Sequence, residues 1–270
     1  MVRDMENQLW KRSLWINPDF HLISNADIIE YDMRDAGFSL IKKYRMLPEK
    51  TIEELDKLGK RINPIDKKYY KHLKDERIGK LQRGDKALAD KLKIAFEMER
   101  EKFIKTNRLD ESNIISIKKD AFFLFVKDRK INGKMDDFIE FRKKNAYTSY
   151  FHVDKLEIYY NHDEVTDIKG LGEEAMKLHE KYMISFINKV LYELESGDKN
   201  TVLFSLRRFI DQYKRKELEN GYYREMNAQS KFRFIDGETS NVNYTESLDE
   251  IDISFNYKII IELLLNVLGG

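Results

Sequence analysis

Two β-forming stretches, ADIIEYDM at 26–33 and NIISIKKDAFFLFVKD at 113–128, stand either side of a long charged run with helical character. This arrangement constrains the fold more than any other feature of the chain. In the second stretch Ile114, Ile115 and Ile117, then Phe122 to Val126, form two arms around the polar centre Lys118, Lys119 and Asp120. That pattern predicts a hairpin with Asp120 at or just beyond its tip. The first stretch ends in a carboxylate of its own, Asp32. If both belong to one sheet, the intervening chain must leave the sheet and return, and two aspartates 88 positions apart meet at strand ends.

The rest of the chain fits this frame. LWKRSLWI, starting at residue 9, reads as a further strand-like piece, and a short helix is expected over 36–45. Thr51 and Glu54 offer a capping box for the next helix. From Pro64 to Asn107 the pattern is a helical hairpin broken near Gly84. More strands are expected in DFIEFRKK and YTSYFHVDKLEIYY. After Gly170, Met176, His179, Tyr182, Met183, Phe186, Ile187, Val190, Leu191 and Leu194 recur at helical spacing, and Val202 to Tyr213 continue as a second amphipathic helix. A polar loop over 227–252 precedes a terminal apolar helix. The expected fold class is α+β: a small mixed or antiparallel sheet with a helical insertion, followed by a helical C-terminal region. The expected domains are 1–170, carrying the insertion at 48–108, and 171–270.

Composition narrows the chemistry. The absence of cysteine excludes disulfides, thiolate zinc sites and cysteine nucleophiles. The first twenty residues mix charges with tryptophans and lack the apolar core of a secretory signal, so an intracellular protein is expected. IIIELLLNVLGG is too short to span a bilayer, and no membrane association is expected. The motifs of P-loop, dinucleotide-binding and serine-hydrolase sites are missing. The net charge is only +1, yet residues 61–108 hold fifteen Lys or Arg against eight Asp or Glu. A polyanion would therefore meet a local basic surface, and the same charges also suit a solvated helical face.

Nucleotidyl transfer by two metals requires carboxylates from separate strands sharing cations about 4 Å apart. Asp32 at the end of one strand and Asp120 in a hairpin satisfy the sequence side of that requirement. EYDMRDAGFSLIKKY resembles the first palm motif of family B DNA polymerases, with Asp32 in the place of the metal-binding aspartate and Ser39 keeping the last serine of the turn that follows. SIKKDAFFLF is similar to the third palm motif, Asp120 standing for its second aspartate and Lys118 replacing the first. KKNAY resembles the Lys-x-Tyr element on the primer side, with a spacing one residue longer, and points to Lys144 and Tyr147. The fingers motif Asn-Ser-x-Tyr-Gly is absent, leaving Lys80 and Arg83 as the nearest candidates for triphosphate contacts. No exonuclease domain is expected before the palm-like region. The resemblance implies a minimal or degenerate polymerase of the kind bacteriophages encode, acting in an infected host. It also implies Mg²⁺ or Mn²⁺ at Asp32 and Asp120, and DNA or RNA contacts through Lys118, Lys119, Lys144 and Tyr147.

Other readings stay open. Asp32 and Asp35 also suit a helix cap, and Asp120 an ordinary turn. Lys118 either pairs with the carboxylates, abolishing metal binding, or contacts phosphate. His152 with Asp154, and His162 with Asp163 and Glu164, are alternative metal ligands, whereas His179 suits an apolar helix face. Tyr147, Tyr150, Phe151, Tyr159 and Tyr160, flanked by basic residues, suit either base stacking or a sheet core. A non-enzymatic phage or host-takeover protein that binds another protein or DNA through its helices is the competing function, and a metal-dependent nuclease would use the same carboxylates.

Overall fold

A computed structural model describes residues 8–59, 64–127, 129–162, 164–226, 233–235, 238–240 and 251–269. The chain is α+β and forms two units, Met1–Asn17 with Ile29–Asn145, and Pro18–Ile28 with Ala146–Gly270.

The first unit opens with a 3-10 turn at Leu9–Lys11 and β1 (Leu14–Ile16), so only the second half of LWKRSLWI becomes strand. The chain then makes β2 (Leu22–Ile23), which belongs to the second unit, and returns through β3 (Ile28–Met33) to α1 (Ala36–Tyr44). Next comes α2 (Glu49–Gly59). It begins two residues before Thr51, because the Pro48 carbonyl already accepts the Thr51 and Ile52 N–H groups. Thr51 therefore lies inside the first turn, and the expected capping box does not start the helix.

Two long helices follow, α3 (Pro64–Gly84) and α4 (Lys86–Asn107), with Asp85 capping the second by accepting the Leu88 N–H at 3.1 Å. The hairpin is β4 (Ile114–Lys118) and β5 (Ala121–Phe125), turning at Lys119 and Asp120. It is followed by β6 (Phe141–Tyr147). The sheet order is β1-β4-β5-β3-β6, so the segments bearing Asp32 and Asp120 are lateral neighbours. The α4 residue Phe103 packs between Phe122 and Phe141, with ring centroids 4.9 and 4.3 Å away. That aromatic cluster fastens the helical insertion to the sheet, since rings bury large areas and favour such offset contacts.

The second unit has its own antiparallel sheet, β2-β7-β8-β9, with β7 (Ser149–Val153), β8 (Leu156–Asn161) and β9 (Glu164–Lys169). Phe151 and Val153 share a face by strand alternation, and with Ile158 and Tyr160 they join the helices in one apolar core. The region read as one helix after Gly170 is instead α5 (Glu173–His179), a π turn at Glu180–Ile184, and α6 (Ser185–Ser196). Tyr182 breaks the helical path at φ −119° and ψ −108°. Its ring occupies the space beside Gly221, where a Cβ would collide with it. Next, α7 (Lys199–Lys214) packs on α6 as the expected helical pair.

The short strands β10 (Arg233–Ile235) and β11 (Glu238–Ser240) pair with each other, and α8 (Phe255–Gly269) ends the fold. Most of the expected polar loop at 227–252 lies outside the described residues. Among those described, no helix is long and apolar enough to cross a membrane.

Candidate functional site

Three neighbouring strands assemble the site in the first unit. Asp32 lies next to the end of β3, and the Met33 N–H donates to the Asp120 carbonyl at 3.0 Å. That bond seats the hairpin turn against the end of β3 and brings the two carboxylates into electrostatic contact. Burial, followed by the negative charge of Asp32, pushes the Asp120 carboxyl above its ordinary pKa. Its own backbone N–H, Lys144 and Lys119 pull the other way without prevailing. Like charges held together disfavour ionisation, and a divalent cation between them would relieve the cost.

The hairpin tip is also held from the helical side. Arg100 of α4 is buried, donating from Nε to the Trp10 carbonyl and from Nη1 to the Lys119 carbonyl, both at 2.8 Å. Burial lowers the Arg100 pKa, while Glu97 and Asp120 favour its charge. Lys119 itself adopts a left-handed conformation, φ 55°, as the tight turn requires.

On the opposite flank, β6 presents Lys144. Its Nζ lies 3.0 Å from Glu30 Oε1 and 3.5 Å from Asp32 Oδ2. Glu30 and Asp32 are two apart on β3 and so share a face. Glu30 is only 2% exposed, and its other oxygen accepts from Asn145 Nδ2 at 2.5 Å. Partial burial disfavours the Lys144 charge, but Glu30 and then Asp32 outweigh it, and the Lys144 pKa is raised.

Above these groups opens a cleft of about 580 Å³ with an apolar floor that includes Met33, Ala36, Ile78 and Leu92. Its lining also includes the carboxylates of Asp32, Asp35, Asp75, Glu97 and Asp120, the exposed Lys71 and Lys93, Lys11 and Lys119, and the buried Arg100.

Of the residues singled out in the sequence, Asp32, Asp120 and Lys119 line this cleft, and Lys144 reaches Asp32 from the side. Lys118 ends β4 opposite Leu14 and Ala121. Lys80 and Arg83 do not line the cleft; Lys80 pairs with Glu76 on the exposed side of α3. That helix turns Lys71, Asp75, Ile78 and Gln82 to the cleft instead, a stripe at helical spacing. Tyr147 is buried in the second unit, its ring 4.9 Å from Tyr159 and its hydroxyl donating to Asp167 at 3.5 Å.

The cap reading of the aspartates does not hold. The start of α1 has no side-chain cap, and Asp35 instead pairs with Lys74, a buried lysine of α3.

The alternative histidine sites also resolve differently. His152 Nε2 lies 2.6 Å from the Asp154 carbonyl, while the Asp154 carboxylate pairs with Lys258. Asp163 lies outside the described residues. His179 is fully buried, and neither ring nitrogen has a hydrogen-bond partner among the described residues. The described residues contain no group of three or more His, Cys, Asp or Glu arranged to hold a metal ion. Glu30 and Arg100 escaped the sequence reading because their partners are remote: Glu30 binds 114 and 115 positions away.

No curated protein matches the sequence. Residues 5–268 match the family described as Bacteriophage PBS1 gene 130 protein, and a match over nearly the whole length makes the chain a member of that phage protein family.

Proposed function

We propose that this chain is a minimal nucleotidyltransferase with a palm-like catalytic sheet, acting on nucleic acid in the cytoplasm of an infected bacterial cell. The observation that carries the reading is the meeting of Asp32 and Asp120, remote in sequence, in a cleft that exposed lysines also line. Carboxylate oxygens are the donors that Mg²⁺ and Mn²⁺ prefer, and Asp120, its pKa raised first by burial and then by the charge of Asp32, is a carboxylate whose charged form such an ion would favour. Bound there by Asp32 and Asp120, a divalent ion would polarise a phosphoryl oxygen and lower the pKa of an attacking hydroxyl. Lys71 and Lys93, both exposed, are positioned to hold phosphates at the rim. Arg100 keeps the Asp120 turn in place through its two carbonyl contacts.

Incubation of the full chain with a labelled primer-template, Mn²⁺ and nucleoside triphosphates tests this. The expected result is primer extension that falls roughly 100-fold or more in Asp32→Asn and in Asp120→Asn. A shortened primer would reassign the same site to a nuclease. An unchanged primer, with no retention on DNA, would favour a protein-binding role. That second reading has one feature in its support: Ile94 and Met98 are exposed on α4 beside an apolar groove of about 250 Å³ that also involves Tyr44 and Met46.

A further inference from the structure

We propose that Arg100 anchors an oxyanion site at one end of the cleft, and that this site takes the phosphoryl group of a nucleotide or of a nucleic-acid strand. It requires neither a metal ion nor the catalytic reading of Asp32 and Asp120.

A guanidinium offers five N–H donors in a rigid fork and keeps its charge inside proteins. Arg100 is only 2% exposed, and a buried charge is costly unless it is paired. Its hydrogen-bond partners are two neutral carbonyls, that of Trp10 at Nε and that of Lys119 at Nη1, both at 2.8 Å. Glu97 and Asp120 favour its charge from a distance, but among the described residues no carboxylate forms an ion pair with it. Nη2 is neither hydrogen-bonded among the described residues nor sealed in the interior, so the free edge opens on the cleft that Arg100 lines. The two carbonyls fix the plane of the fork. What the fork lacks is an anion, and the charge-assisted bonds of a guanidinium to phosphate oxygens are among the strongest available.

The same contacts gather further donors. Lys11 directly follows Trp10, and the Lys119 N–H donates to the Ser13 carbonyl at 2.6 Å. Lys11, Ser13 and Lys119 are thereby grouped around the guanidinium, and all three line the cleft. Lys11 and Lys119 are exposed, and neither has an ion pair among the described residues. Other lysines of this unit do pair, as Lys43 does with Glu99 and Asp136, and Lys102 with Asp136. Three cations without a carboxylate partner and one hydroxyl thus converge at one end of the cleft. The cleft floor, with Ile78, Leu92 and Phe96, gives a flat base an apolar surface to lie on. A bare phosphate ion would leave that surface unused, which favours a nucleotide unit as the occupant.

The test is calorimetric titration of the full chain, in the presence of EDTA, with adenosine monophosphate, adenosine and inorganic phosphate. The nucleotide is expected to bind roughly tenfold or more tightly than either of the other two. Arg100→Lys keeps the charge but not the fork, and is expected to weaken nucleotide binding roughly tenfold or more while leaving adenosine unchanged. Because Arg100 also holds the hairpin turn, a second variant combines Lys11→Gln with Lys119→Asn at exposed positions, asparagine tolerating the φ of 55° at that turn. A loss of similar size is expected there. Thermal melting of each variant verifies that it is folded. A short single-stranded oligonucleotide is titrated in parallel: binding of the strand alone, weakened by the same variants, supports the site and assigns the phosphate to a strand rather than to a free nucleotide.

Equal affinity for adenosine and its monophosphate, with no strand binding, would overturn the site. So would nucleotide and strand affinities unchanged in both folded variants. Phosphate-dependent binding without primer extension would overturn the nucleotidyltransferase reading and leave the oxyanion site standing.

Discussion

His179 is buried, and among the described residues neither of its ring nitrogens has a hydrogen-bond partner, which makes folding sensitive to pH. His179 has a pKa lowered to about 4, first by burial and then by the charge of Arg224. The unfolded chain takes up the proton near pH 6.5 and the folded chain only near 4, so the unfolded state binds more protons throughout that interval. Stability is unaffected by this group above pH 6.5 and falls as pH drops toward 4, by about 3 kcal/mol at full extent. Denaturant melts at pH 7.5 and 4.5 are expected to show this loss in the parent and a smaller loss in His179→Leu. At this scale the two carboxylates that line the cleft, Asp32 and Asp120, were legible in the sequence because carboxylates interrupt apolar runs. It was silent on Glu30 and Arg100, since a carboxylate on a strand or an arginine on a helix looks solvated until its distant partners are known.

At the scale of elements, periodicity identified most helices and strands and missed two irregularities. Residues from Met176 to Leu194 recur as on one helix, yet the π turn inserts extra backbone at Tyr182 and divides it. The partner that permits the break, Gly221, lies far along the chain, and its meaning appears only when Tyr182 fills the space beside it. Gly221→Ala is expected to destabilise the fold by about 1–3 kcal/mol, read as a lower denaturation midpoint, because the added methyl meets a packed ring. Strand β9 was missed for a related reason. Val165 and Ile168 both pack on the apolar core although three residues apart, which a regular strand forbids. The register shift between Tyr159 and Tyr160 in the partner strand accommodates it. The helical hairpin was legible because Gly84 and Asp85 mark its break with ordinary stop and start signals.

For the whole molecule, near-neutral charge conceals a local excess of basic residues at 61–108. If the cleft rim holds phosphates, DNA retention is expected to fall steeply as salt rises, since each neutralised phosphate releases counterions. Replacing Lys71 and Lys93 together by alanine is expected to lower the slope of log affinity against log salt by roughly two. An unchanged slope would place the footprint elsewhere. The α+β class was readable from the alternation of strand and helix patterns. The division of the chain was not, because Asn145 and Ala146 lie inside one continuous strand, β6, with no change of composition between them.

The short strand β2 carries a consequence for synthesis. Leu22 and Ile23 pair with Phe151 and Tyr150, residues the ribosome adds much later. At bacterial elongation rates the early strand waits on the order of ten seconds for its mate. During that interval a nascent-chain chaperone, or a competing strand edge, has its best opportunity to capture the N-terminal segment.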